Sequence, residues 1–444
     1  MPETKSLDVA VVGGGLAGMV AALELARAGH RPTLYEKYPS FGGLAQAFPL
    51  RGTHLERFYH HVFSTDVDFL DLVEELGLQG SMVWNAENSA NWREGRVAGI
   101  SPAWKLLLWK ELSVAGRLKL AFWSKWISLQ KDWRPYDDIT AKAWILDHMG
   151  EEVWKVMWEP LFRSKFGAAA DEISMTWFYG RLTARFGPSK KGAPTGKLGY
   201  LMGSTQVLVD GLLAKLKDAQ VRLKPSVGVN ALLGDPKRVW GVLTKEGEAR
   251  HDAVLCTCAT PEFVRQARGT LPEPLMRQLE AFRCLGAVVA VLELKSSVTA
   301  HYWTSVLDRS QPFLAVIEHT RMIGPEHYQG AHILYAARYL DNADPFYRAP
   351  DAEVLDLFYR HLRQVLPAFD PSLVQKAHVM RADHAQPIVT PGYGKRIPPL
   401  RLPVKGLYLA NMAQIFPEDR GMSYSVALGR KAAAVVSEDA TALS

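Results

Sequence analysis

Six residues, Leu7 to Val12, form the first apolar run, and they read as a short buried strand ended by glycine. Gly13-Gly14-Gly15-Leu16-Ala17-Gly18 follows at once, and Met19 to Ala28 continues as an Ala- and Leu-rich helix that Gly29 stops. Arg31 to Glu36 then reads as a second strand ending in an acid, 18 residues after Gly18. At the far end, Gly406 to Asn411 reads as a strand. A loop and a helix from Gly421 onward follow it, with small residues every three or four positions, a pattern suited to close packing on a sheet. Between the ends, Val221 to Val229, Val239 to Thr244 and Ala253 to Cys258 predict short strands joined by turns such as Leu233-Gly234-Asp235-Pro236.

The opening strand, glycine loop, helix, second strand and acid together make a complete dinucleotide-binding fingerprint. Gly13 permits the tight turn, Gly15 lets backbone approach a pyrophosphate, and Gly18 lets helix pack on strand. The N-terminus of that helix, at Leu16 and Ala17, turns free N–H groups and a positive dipole end toward phosphates. Glu36 is placed to accept hydrogen bonds from ribose hydroxyls. The fingerprint alone does not separate FAD from NAD.

Composition narrows the classes. With 444 residues, 48% hydrophobic and 22% charged, the chain is long enough for two cores and is not of disordered type. Three cysteines make no disulfide framework and no CxxC pair, so the compartment reads as reducing and the location as cytoplasmic. Cys256 and Cys258 are expected as buried small hydrophobes on one strand face. No His, Asp, Glu or Cys cluster has metal-ligand spacing, and no metal is expected. The net charge of +6 is unevenly spread, with seven Lys or Arg between Ser101 and Pro135 against Glu111 and Asp132. Trp104, Leu107, Leu108, Trp123 and Trp126 interleave with Lys105, Lys110, Arg117, Lys119 and Lys125 there. Three readings stay open: a helical subdomain with aromatics inward and lysines in water, a peripheral membrane contact through 101–135, or the cover of an apolar substrate channel. Nothing else in the chain supports nucleic-acid binding.

After Glu36, Lys37-Tyr38-Pro39-Ser40-Phe41-Gly42-Gly43 sets a glycine pair close behind the acid. Here the chain resembles the flavoprotein superfamily of monoamine oxidase, protoporphyrinogen oxidase, phytoene desaturase and UDP-galactopyranose mutase. Many members carry an Arg after the pair, where this chain has Leu44. The resemblance implies FAD as cofactor, with Lys37, Gly42, Gly43 and Leu44 near it. It also implies that Val227 packs near the adenine, Asn411 lies near the phosphates and ribityl, and Gly421-Met422-Ser423 lie near the flavin ring. Gly199 to Gln206 resembles the glycine-rich entry to a helix in that superfamily. Glu159 to Gly167 and Pro312 to Thr320 resemble the protoporphyrinogen-oxidase-like branch most closely.

The expected fold is therefore α/β, a Rossmann-type FAD-binding domain interleaved with an α+β substrate domain. Residues 1–95, 199–285 and 400–440 would form the former, and 96–198 and 286–399 the latter, with its Trp-rich helical part. The expected function is an FAD-dependent oxidoreductase that takes hydride from a C–N or C–C bond of an apolar small molecule. Its electrons would pass to oxygen, a quinone or another acceptor, since there is no second fingerprint for a nicotinamide. The alternatives are a non-redox flavoenzyme resembling UDP-galactopyranose mutase and a membrane-surface flavoprotein. Among catalytic candidates, His61 is the best match to the superfamily's segment beside the flavin, with His60 and Tyr59 next to it. As neighbours on an extended chain, His60 and His61 point opposite ways. Arg163, Lys165 and Arg420 are candidates for binding an anionic group or for balancing charge at the flavin pyrimidine, with surface salt bridging as the open alternative, and Gln414 and Tyr424 are candidates for flanking the flavin. Glu318 and His319 match a pattern whose role the residues do not reveal.

Overall fold

The computed structural model describes residues 6–101, 103–184, 189–194 and 196–440, and within Ala103 the backbone only. Residues 1–5, 102, 185–188 and 195, which fall in the expected domain ranges, lie outside the description. Five parallel strands form the nucleotide sheet, in the order Leu407–Leu409, Ala253–Cys256, Asp8–Val12, Arg31–Tyr35, Arg222–Lys224. The central strand has Val9, Ala10 and Val11 wholly buried, as a strand covered on both faces requires. Helices Leu16–Arg27 and Met422–Glu438 cover one face together with helix Thr205–Asp218, through a core of Met19, Leu23, Leu25, Leu208, Leu212 and Val436. Each such side chain, fully buried, contributes about 1.5–3 kcal/mol. The two outer helices cross closely, for a Cβ on Gly429 would stand 2.5 Å from the Ala17 carbonyl oxygen. A three-stranded antiparallel sheet (Val229–Gly234, Val239–Thr244, Gly247–Arg250) and the helices Thr260–Gln266 and Glu273–Glu280 adjoin the other face.

Two expected strands are shorter than their patterns. The run Val221 to Val229 splits into Arg222–Lys224 and a new strand from Val229, because Ser226 turns the chain at φ +57°. The other strand ends at Cys256, so Cys258 sits in the loop beyond and does not share its face. Burial raises both thiols, that of Cys258 to about 12.

The second body is a seven-stranded mixed sheet, ordered Val374–Pro387, Cys284–Leu294, His332–Leu340, Ala315–Glu318, Trp303–Val306, Ser89–Arg93, Arg96–Gly99. Ser89–Arg93, assigned by the expected ranges to the FAD unit, is one of its strands and pairs in parallel with Trp303–Val306. Helices Val114–Ser128, Ala141–His148, Glu159–Phe166 and Met175–Thr183 form the Trp-rich part. Its core holds Trp109, Trp144, Trp154 and Trp177 with Phe162, Phe166 and Phe178. Helix Val114–Ser128 buries Gly116, Leu120 and Ile127 there. It also turns Val114, Leu118, Phe122 and Trp126 outward, with Phe122 61% exposed. The helix therefore has two apolar faces, and only one of them is covered within the chain.

Candidate functional site

The fingerprint residues meet at the carboxyl ends of the parallel strands, where ligands of open α/β sheets bind. Gly13 turns the chain at φ +114°, and its amide donates to the Tyr35 carbonyl at 2.9 Å, tying the loop to the neighbouring strand. Gly18 is required by space: a Cβ there would be 2.0 Å from the Gly13 carbonyl oxygen. At Gly15 a Cβ would meet nothing nearer than 3.9 Å. The surface over Gly15 is thus open, with Leu16 buried in the core and the first helix starting behind it. A pyrophosphate fits this place: exposed backbone, a helix N-terminus and no side chain in the way.

Glu36 is 7% exposed and accepts the Gly14 amide on one oxygen and the Tyr38 amide on the other, at 2.8 and 2.9 Å. Val227 donates its amide to the Glu36 carbonyl at 2.8 Å, so the residue expected near the adenine lies beside the acid expected at the ribose. Lys37 turns its ammonium to Glu262 at 3.3 Å. Gly42 and Gly43 dock on the glycine loop itself: the Gly42 amide donates to Gly14, and a Cβ on Gly43 would touch Gly15 Cα at 3.0 Å. Leu44 packs beside Phe58 and Tyr339 against Ala287, Ala382 and Ala385.

The closing segment arrives by a different logic. Asn411 is buried and caps the short turn Met412–Gln414, with Gln414 returning a bond to the Asn411 amide at 2.8 Å. Its amide nitrogen donates to the Cys258 carbonyl at 3.0 Å, which holds the loop behind strand Ala253–Cys256 against the closing loop. Gly421 leads into the last helix and Met422 starts it, while Ser423 accepts the Phe69 amide at 3.2 Å. Thr257 lay outside sequence reasoning. Its hydroxyl donates to the Gly13 carbonyl at 2.9 Å and fixes the turn from behind. The signal was its place, one residue after a strand of the nucleotide sheet.

The catalytic candidates divide as expected for neighbours on an extended chain. His61 joins an aromatic group with Tyr59, Tyr302 and Trp303, its Nδ1 3.2 Å from the Tyr302 hydroxyl. His60 points the other way. Burial and the Arg420 charge push its imidazole down to about 4, and its buried Nδ1 has no partner among the described residues. Lys165 pairs with Asp419 at 2.8 Å and Arg420 lies close enough to act on that carboxylate, whereas Arg163 is held aside by Asp171 at 2.7 Å. Tyr424 lies against Gly421. Glu318 and His319 are structural: the carboxylate takes the amides of Val298 and Thr299, and the ring is buried against Tyr328, its Nε2 2.6 Å from that hydroxyl.

Sequence and structure comparisons agree with this geometry. Residues 16–437 match the family model for flavin containing amine oxidoreductase. A 15-cis-phytoene desaturase of an Oncidium hybrid cultivar is 24% identical over 91% of this chain and 73% of its own. A zeta-carotene desaturase of Zea mays is 37% identical over a local match, 17% of this chain and 14% of that protein. The crystal structure of a candidate protoporphyrinogen oxidase from Exiguobacterium sp. 255-15 superposes with a TM-score of 0.77 at 18% identity, over 98% of this chain and 100% of the other. The family match favours a redox flavoenzyme over a mutase-like one. This chain belongs to the flavin-containing amine oxidoreductase family, and it is an FAD-dependent oxidoreductase.

Proposed function

We propose that this flavoenzyme takes hydride from a C–N or C–C bond of an apolar substrate, which it draws from a membrane surface. The observation that carries the reading is the uncovered apolar face of helix Val114–Ser128. Leu118 and Phe122 are 59% and 61% exposed on it, Trp104 and Leu108 continue it, and exposed Lys105, Lys110, Lys119 and Lys125 surround it. An apolar stripe ringed by cations suits the interface of an anionic bilayer. Among the described residues no helix is long and apolar enough to cross a membrane.

When bound, FAD supplies the hydride acceptor. The chain would do the rest. The glycine loop and Glu36 hold the dinucleotide end. Gly421, Met422 and His60 border the place expected for the ring, and Tyr59, Trp303 and Tyr335 form an aromatic wall that excludes water. At neutral pH His60 is an uncharged imidazole, able to accept a hydrogen bond or a proton at Nδ1. The domain division we propose follows the two large sheets, with the helical part on the substrate side.

Anaerobic mixing of the FAD-loaded enzyme with apolar amines and polyenes carried in vesicles tests the reading. Bleaching of the flavin by one of these classes is the expected result. Bleaching only by small polar substrates, with the vesicle-borne ones inert, would overturn it.

A further inference from the structure

Lys165 is buried on helix Glu159–Phe166, and its ammonium donates to Asp419 at 2.8 Å. That bond uses one of its three N–H groups. The same nitrogen lies 5.0 Å from the centre of the Trp177 ring. Trp177 is 5% exposed, yet its indole N–H finds no acceptor among the described residues. Arg420 gives one N–H to the Ala385 carbonyl and another to the Tyr339 hydroxyl. The Tyr339 ring stands 5.4 Å from the guanidinium and 6.0 Å from the Lys165 ammonium, so both cations lie against one aromatic ring.

Charge and hydrogen bonds are both out of balance here. Asp419 is the carboxylate that faces these cations, and its second oxygen already takes the Gln386 amide at 3.2 Å. Arg181, half-exposed, approaches it at 3.9 Å. Burial alone would raise the Asp419 carboxyl, but Lys165, Arg420 and Arg181 carry it well below the usual carboxylate range. Burial, with Arg181 and Arg420, pushes the Lys165 ammonium down to about 7 against the pull of Asp419. Three cationic side chains, Lys165, Arg420 and Arg181, act on the one carboxylate of Asp419, and the Lys165 ammonium is the one whose charge its surroundings hold least firmly. Buried charge without a partner is costly. Spare donors beside a surplus cation describe a site for an anion.

We propose that Lys165, Arg420 and the Trp177 N–H form the receptor for a carboxylate at one end of the substrate. This deepens the apolar-substrate reading above and rests on it: the substrate is an amphiphile, with a hydrocarbon body and a single negative charge. An anion bound there would favour the ammonium form of Lys165. The receptor joins the helical part, the large sheet and the segment just before the closing helix, so a carboxylate bound there would fix the substrate's register in front of that helix.

Calorimetric titration of the FAD-loaded protein with octanoate and with 1-octanol decides the matter. Octanoate is expected to bind at least tenfold more tightly than the alcohol. Lys165→Met should erase that preference, Lys165→Arg should keep it, and Trp177→Phe, which removes the N–H along with part of the ring, should weaken it several-fold. Equal affinity for acid and alcohol overturns the receptor while leaving the apolar-substrate reading intact. Binding of neither overturns both. Should Lys165→Met fail to fold, an unchanged preference in Trp177→Phe together with a lost preference in Lys165→Arg also refutes it.

Discussion

The Gly14 amide donates to the Glu36 carboxylate at 2.8 Å, so the glycine loop and the acid at the end of the next strand are one hydrogen-bonded unit. The other carboxylate oxygen holds Tyr38. Replacing Glu36 with Ala strips the partner from two amides, at about 1–3 kcal/mol for each left buried. The variant should melt several degrees lower without cofactor and bind FAD at least tenfold more weakly. Wild-type melting and wild-type FAD affinity in Glu36→Ala would show that the acid does neither job.

Gly15 and Gly18 should fail in different ways. A side chain at Gly18 collides with the Gly13 carbonyl and, at 2.7 Å, with the Thr257 hydroxyl, whereas one at Gly15 enters open space. Gly18→Val is expected to lower the melting temperature of the apoprotein. Gly15→Val should leave it nearly unchanged, because φ at Gly15 is −71°, yet should cost most of the FAD affinity. Thermal melts of both apoproteins beside FAD titrations separate the outcomes, and equal losses in both variants would refute the assignment.

Glu56 carries a pH dependence whose sign is fixed by its setting. It is 2% exposed, accepting the Tyr200 hydroxyl and the Thr205 amide, each at 3.1 Å, and burial raises its carboxyl from 4.5 to about 7. Between those values the folded chain keeps a proton that the unfolded chain has lost. Stability from this group is therefore full below pH 4.5 and declines as pH rises through 7, by about 3 kcal/mol. Urea unfolding at several pH values should show that slope in the wild type and its loss in Glu56→Gln. Parallel slopes in the two proteins would contradict the placement of this carboxyl.

The outward face of helix Val114–Ser128 can be altered without touching the core. Leu118→Glu with Phe122→Glu should leave the melting temperature within about a degree, since exposed substitutions change stability little. It should abolish sedimentation with vesicles rich in anionic lipid. Salt should weaken wild-type binding, as screening of the surrounding lysines requires. Wild-type sedimentation of the double variant would remove the membrane from the proposal.

The ends of the chain were readable because local chemistry specified them. Gly13, Gly15, Gly18 and Glu36 act within one strand–helix–strand unit, so their spacing alone carries the geometry. The receptor at Lys165 was not readable as a unit. Its partner Asp419 is 254 residues away, and only the packing of helix on sheet brings them together. The edge strand Val374–Pro387 hid for another reason: it is half-covered, and residues such as Lys376, His378, Arg381 and His384 break the alternation that marks a strand. His60 and His61 were both in view from the start. Which of them turns toward Arg420 depended on the path of the backbone after Glu56, and no pattern of residue types encodes that.

Because the sheet that carries the glycine loop takes strands from residues 8–12, 31–35, 222–224, 253–256 and 407–409, its last strand is translated long after its first. At roughly 5–20 residues per second, a ribosome needs some tens of seconds to pass from the first of these strands to the last. For most of that interval the loop already has strand 31–35 beside it, while strand 407–409 is still to come. Until strand 407–409 emerges, the glycine loop sits in an unfinished sheet.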